Sequence, residues 1–178
     1  VLQLTSAANL STTEDIYNQV VSGKTAALFA AACEVGGVNS AAHETQIKAL
    51  STKGDALGIA FQIADDHLDY GGDTGATGKN IGDDFRERKL TLPVIKAIAR
   101  ADEDERAFWK RTIVKGDQQD GDLDQALALI AKHGTMSATR EDALFWSAKA
   151  KDAMAVLPEH PVRDMLSDLA DYVVARIS

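Results

Sequence analysis

Leu57-Gly58-Ile59-Ala60-Phe61-Gln62-Ile63-Ala64-Asp65-Asp66-His67-Leu68-Asp69-Tyr70 decides the fold. At about 100° per residue, this stretch reads as a helix. Leu57, Phe61, Ala64 and Leu68 then form one apolar stripe. Ile59, Ile63 and Tyr70 cover most of the remaining surface. A narrow sector is left for Gln62, Asp65, Asp66 and Asp69, with Gly58 leaving space in it. A surface helix shows a broad polar face. This one is apolar nearly all round, so it is expected to be buried, with its acids lining a wet cavity. Carboxylates crowded this way repel one another, and burying them unpaired is costly or forces protonation. A cation removes that cost. Hard oxygen donors select Mg²⁺ or Ca²⁺, and Mg²⁺ favours one or two carboxylates plus substrate phosphates.

The rest of the composition narrows the classes. At 178 residues the chain can bury one core. A net charge of −8 disfavours nucleic acid or an anionic membrane as partner. An anionic substrate is then held only through local lysines or metal. The one cysteine, Cys33, follows Leu28-Phe-Ala-Ala-Ala and reads as a small core residue. Without a disulfide framework, the expected setting is the reducing cytoplasm. No apolar run approaches the ~20 residues of a membrane span, and no signal peptide is evident. The chain opens on Val1 rather than Met, which reads as a fragment or a processed product.

Helical patterns fill the chain. Ser11-Thr-Thr-Glu14 reads as a capping box opening a helix from about Thr12 to Val35, stopped at Gly36-Gly37. Within it, Lys24-Thr25 precedes a very apolar run, so Lys24 either snorkels to solvent or meets a buried anion. Asn39 or Ser40 caps the next helix, which runs to about Tyr70 with a kink expected near Gly54 or Gly58. Pro93 lies near the first turn of a further helix, and Asp102-Glu-Asp-Glu opens another. Asp117 to Asp124 reads as a solvated loop. Leu123–His133 and Ser137–Leu157 read as helices, the second with Ala143, Ala150, Met154 and Leu157 inward and Phe145 and Trp146 in the core or at an interface. Pro161 opens the last helix, with Met165, Leu166, Leu169, Val173 and Ile177 inward. No useful period-2 alternation exists, so the fold class is all-α.

Between the acidic stripe and Pro93 lies Gly71-Gly-Asp-Thr-Gly-Ala-Thr-Gly-Lys79-Asn-Ile-Gly-Asp83-Asp84-Phe-Arg-Glu-Arg-Lys89. Its glycines allow close backbone approach to a ligand. Asn80 stands where a P-loop needs Ser or Thr, and a helix precedes it rather than a strand. An EF-hand fails for lack of alternating ligands and a terminal Glu. The loop does place Lys79 and Lys89 soon after the carboxylates, where a metal-bound phosphate calls for positive charge.

Three stretches together carry a family resemblance: Phe61-Gln-Ile-Ala-Asp-Asp-His-Leu-Asp69, Thr77-Gly-Lys79-Asn-Ile-Gly-Asp-Asp and Lys89-Leu-Thr-Leu-Pro93. With Lys24-Thr25-Ala-Ala-Leu-Phe they closely resemble the trans-isoprenyl diphosphate synthases. Val1-Leu-Gln-Leu and Leu169-Ala-Asp-Tyr-Val-Val-Ala-Arg176 are similar to the long-chain branch (octaprenyl, solanesyl, decaprenyl), which makes quinone side chains. The resemblance implies a helical bundle around a central cavity, a homodimer, and residues 1–178 as the C-terminal portion of one prenyl synthase domain. It implies two aspartate-rich motifs that hold Mg²⁺ against an allylic diphosphate. That diphosphate ionises, and isopentenyl diphosphate attacks the resulting cation. By the same resemblance, Asp65, Asp66 and Asp69 hold the metal or its waters. Lys24, Lys79 and Lys89 grip the allylic diphosphate, and Thr25 and Gln62 hydrogen-bond it. The most direct catalytic roles fall to Asp65, Lys24 and Lys79.

The family's first aspartate-rich motif, chain-length residues and isopentenyl diphosphate site have no counterpart here. The 178-residue chain alone is therefore expected to be inactive. Competing readings are a non-catalytic subunit of a prenyl synthase, an allylic-diphosphate cyclase and a simple Mg²⁺-binding module. Intact Asp65, Asp66, Asp69, Lys24 and Lys79 weigh against a degenerate subunit. Asp-Asp-x-x-Asp in place of an Asn-Ser/Thr-Glu motif weighs against a cyclase.

Overall fold

The structure is a computed structural model that describes residues 9–71 and 81–177. All regular structure among the described residues is helical. In chain order the α-helices are α1 (Glu14–Val21), α2 (Ala27–Asn39), α3 (Glu44–Gly71), α4 (Asp83–Arg86), α5 (Leu92–Arg100), α6 (Glu103–Trp109), α7 (Asp122–Lys132), α8 (Thr135–Ala153) and α9 (Pro161–Ala175). Two π-helical turns, Ser22–Ala26 and Lys110–Val114, follow α1 and α6.

Helix boundaries differ from expectation for identifiable reasons. Thr13, not Ser11, caps α1: its hydroxyl accepts from the Ile16 amide at 3.3 Å, while Ser11 bonds Asn9. Gly36 and Gly37 do not stop α2, which runs on to Asn39. Gly37 is used instead for close packing, because a Cβ there would lie 3.1 Å from Leu50 Cδ1. Likewise Gly54 and Gly58 leave α3 as one helix of 28 residues. Their role is to admit a neighbour, described below.

The chain clusters into two compact units. The first joins Val1–Val20 to Asp65–Thr139, and the second joins Val21–Ala64 to Arg140–Ser178.

An aromatic core organises the first unit. Phe108 and Trp109 meet edge-on with centroids 5.1 Å apart, and Phe85 stacks on Phe108 at 6.5 Å. Tyr70, Val94, Ala97, Ile98, Ile113, Ala126 and Ile130 close around them. Burial of such side chains contributes about 1.5–3 kcal/mol each. The Asp117–Asp124 stretch is not wholly solvated as expected. Asp122 is buried at the start of α7 and takes both ends of the Arg111 guanidinium at 2.7 and 2.8 Å. A bidentate pair of this kind offsets the desolvation of the acid.

Small residues organise the second unit. A Cβ on Gly54 would lie 2.7 Å from Ala30 Cα, and one on Gly58 would lie 2.6 Å from Ala26 Cα. The gap expected at Gly58 is thus filled by backbone. On the other side, Ala143, Ala150 and Ala170 are fully buried, and Ser147 donates to the Ala170 carbonyl at 2.8 Å. One expectation fails here. Met165 and Leu169 point outward, at 67 % and 43 % exposure, because α9 instead buries Ala170, Val173 and Val174. Phe145 is 57 % exposed, so of the two placements expected for it the interface one stands; it meets Trp146 edge-on.

Candidate functional site

The acidic stripe belongs to the last two turns of α3. Asp65 is half-buried, whereas Asp66 and Asp69 are each only 3 % exposed. The helix is apolar around them, with Ile63, Ala64 and Tyr70 all buried. Buried carboxylates need donors, and the structure supplies them from distant segments. The Tyr17 hydroxyl donates to Asp66 Oδ2 at 2.6 Å, and the Leu92 amide approaches the same oxygen at 3.4 Å. Asp69 Oδ2 accepts from the Asp84 amide at 3.1 Å, while its carbonyl accepts from the Gly82 amide at 2.8 Å. One aspartate thereby anchors the chain on both sides of the segment 70–81.

Gly82 at this anchor has φ of 79°, a conformation L side chains rarely adopt, and a Cβ there would also collide with the Leu123 side chain. Tyr70 lies beside the stripe. Its phenol is pushed well above its ordinary value, first by burial and then by the nearby carboxylates, Asp69 foremost. It therefore stays neutral beside the acids.

Lys89 is brought to the same segment by the turn after α4. Its ammonium lies 2.6 Å from Glu87 Oε2 and 3.0 Å from Asp84 Oδ1, and the side chain is half-exposed. These partners, Glu87 first, hold its pKa above the ordinary lysine value. Arg88, just before it, has φ of 58°. Lys79 lies outside the described residues.

In the second unit, the π-helical turn Ser22–Ala26 carries Lys24 and Thr25. Such turns widen a helix locally and recur at functional sites. Lys24 is exposed. The Thr25 hydroxyl donates to Gln62 Oε1 at 3.1 Å, so these two expected site residues are in direct contact. The Ser22 hydroxyl donates to Asp55 at 3.3 Å, a further tie between the turn and α3.

Three hard carboxylates on one helical face suit a divalent cation bound through oxygen. Among the described residues, no three His, Cys, Asp or Glu side chains converge to cage an ion. Two residues escaped the sequence reading. Tyr17 partners Asp66 across 49 positions, and Asp84 links Asp69 to Lys89. The one clue to Tyr17 was general: a tyrosine buried in a helix needs a partner for its hydroxyl.

The chain is all-α, with a buried acidic stripe and an adjoining lysine turn in its first unit and a Lys-Thr π-turn in its second. Residues 1–130 match the family model described as polyprenyl synthetase, and the chain belongs to that family. It is 36 % identical over 176 residues to the octaprenyl diphosphate synthase of Haemophilus influenzae, covering 99 % of this chain and 53 % of that protein. The octaprenyl diphosphate synthase of Escherichia coli is also 36 % identical, with 99 % and 54 % covered. A decaprenyl diphosphate synthase from Rhodobacter capsulatus superposes with a TM-score of 0.94 at 67 % identity, covering 99 % of this chain and 55 % of that one. A polyprenyl synthase from Caulobacter crescentus, solved with calcium and isoprenyl diphosphate, gives 0.92 at 44 % identity, with 99 % and 54 % covered. The chain thus spans about half the length of the relatives it matches.

Proposed function

We propose that the protein is a trans-polyprenyl diphosphate synthase, of which these 178 residues form the C-terminal portion of one all-α domain. It condenses isopentenyl diphosphate with an allylic diphosphate into a long-chain polyprenyl diphosphate of the kind used for quinone side chains. The observation that carries this reading is the stripe Asp65–Asp66–Asp69, kept intact and donor-supported in a chain 67 % identical to a decaprenyl diphosphate synthase.

Asp65, Asp66 and Asp69 fit Mg²⁺, Asp65 as a direct ligand and the other two as ligands or holders of its waters. When bound, Mg²⁺ neutralises the charge that builds on the diphosphate oxygens as the allylic bond breaks. Lys24, Lys79 and Lys89 add positive charge to those oxygens. Thr25 and Gln62 orient them by hydrogen bonds. The apolar surroundings keep water from the allylic cation until the isopentenyl double bond attacks it and a proton is lost. The protein works as a cytoplasmic homodimer. The 178-residue chain without the rest of the enzyme is inactive.

The test is prenyl transfer by the full-length protein with labelled isopentenyl diphosphate, an allylic primer and Mg²⁺, beside an Asp65→Ala variant. A long labelled product, reduced roughly 100-fold in the variant, is expected. Folded wild-type protein that yields no product sinks the reading.

A further inference from the structure

We propose that Tyr17 is a positioning residue for the acidic stripe, fixing the carboxylate plane of Asp66 for the cation–diphosphate site. This rests on the functional reading above. The hydroxyl lies 2.6 Å from Asp66 Oδ2, a length typical of a charge-assisted bond. Both partners are buried, Tyr17 at 6 % and Asp66 at 3 % exposure, so bulk water does not compete for the contact. The Leu92 amide approaches the same oxygen at 3.4 Å, and two donors on one oxygen restrict rotation of the carboxylate.

A second contact fastens the same helix. One turn earlier on α1, Glu14 accepts from Lys96 at 2.7 Å, and the Lys96 side chain is 8 % exposed. Residues three apart share a helix face, so this pair is a separate fastening of α1 that does not touch Asp66. Partners that orient a metal-binding carboxylate in this way typically govern metal affinity by 10–100-fold.

The two anchors also supply the control. Tyr17→Phe keeps the ring and deletes the donor. Glu14→Gln loosens the other fastening and leaves Asp66 untouched. The full-length protein would be titrated with Mn²⁺, read by electron paramagnetic resonance, in the presence of an unreactive allylic thiodiphosphate. The expected result is a Mn²⁺ half-saturation raised about tenfold in Tyr17→Phe and unchanged in Glu14→Gln, with circular dichroism showing both folded.

A second measurement tests whether the tyrosine acts through Asp66. In an Asp66→Asn background, adding Tyr17→Phe is expected to change Mn²⁺ affinity no further, because the tyrosine acts through the carboxylate. Wild-type affinity in Tyr17→Phe, equal weakening in Glu14→Gln, or independent effects in the double variant would each overturn the proposal and leave Tyr17 as a docking contact of α1. Failure of the wild-type protein to bind Mn²⁺ with the thiodiphosphate would instead overturn the functional reading, and this proposal with it.

Discussion

Gly58 and Ala26 touch backbone to backbone: a Cβ at Gly58 would lie 2.6 Å from the Ala26 Cα and 3.3 Å from its nitrogen. Ala26 closes the π-helical turn that carries Lys24 and Thr25, so this glycine fixes how near that turn lies to α3. The obstacle is main chain, which cannot swing aside as a long side chain does. Gly58→Ala is expected to cost about 1–3 kcal/mol through overpacking, despite the better helix propensity of alanine. Thermal unfolding should show the melting temperature down by roughly 2–10 °C. An unchanged or higher melting temperature would mean that the seam opens freely.

Lys89 is shared between Glu87 and Asp84, and Glu87 is the more exposed partner. If Lys89 grips diphosphate, Glu87 competes with the ligand. Glu87→Gln is expected to lower the dissociation constant for inorganic diphosphate with Mg²⁺ by about two- to threefold. It should leave stability essentially unchanged, since exposed ion pairs contribute little. Calorimetric titration reads the first and thermal melting the second. An unchanged dissociation constant counts against Lys89 as a diphosphate contact.

Glu105 joins Asp102, Lys132 and His133 in the first unit. It completes the capping box of α6 with Asp102 and bonds Lys132 and His133 Nε2, the latter at 2.7 Å. The Lys132 ammonium first, then His133, lowers its pKa from 4.5 to about 2. Because the folded value is depressed, the stabilisation is fully present above about pH 4.5. It drains away as pH falls towards 2, as the carboxylate takes up its proton. Glu105→Gln should therefore be less stable than wild type at pH 7, with the difference shrinking between pH 4.5 and 2. Urea midpoints across that range test it, and a gap that widens on acidification would contradict it.

Much of the fold was legible because helix signals are local. Pro93, Pro161, Gly134 and the Asp102 box each mark a boundary within a turn. The acidic stripe was legible because its four polar residues fall in one sector of an otherwise apolar helix. What stayed hidden depends on which segments meet. Tyr17 and Asp66 are 49 positions apart with no pattern linking them. Gly58 looked like vacant room until Ala26 filled it. In α9, two adjacent apolar stripes compete, and side-chain size favours the one with Met165 and Leu169. The structure buries the one with Ala170 instead, because small residues allow the closer helix contact made where Ser147 meets the Ala170 carbonyl.

Asp69 has one more consequence. Its carbonyl holds Gly82 and its carboxylate holds Asp84, so one residue pins the chain where it returns after residues 70–81. It works as a hasp. With the return point fixed, the register of everything downstream, Lys89 and α5 included, is set by Asp69 rather than by the length of the intervening sequence. A substitution at Asp69 should therefore displace Lys89 and α5 together.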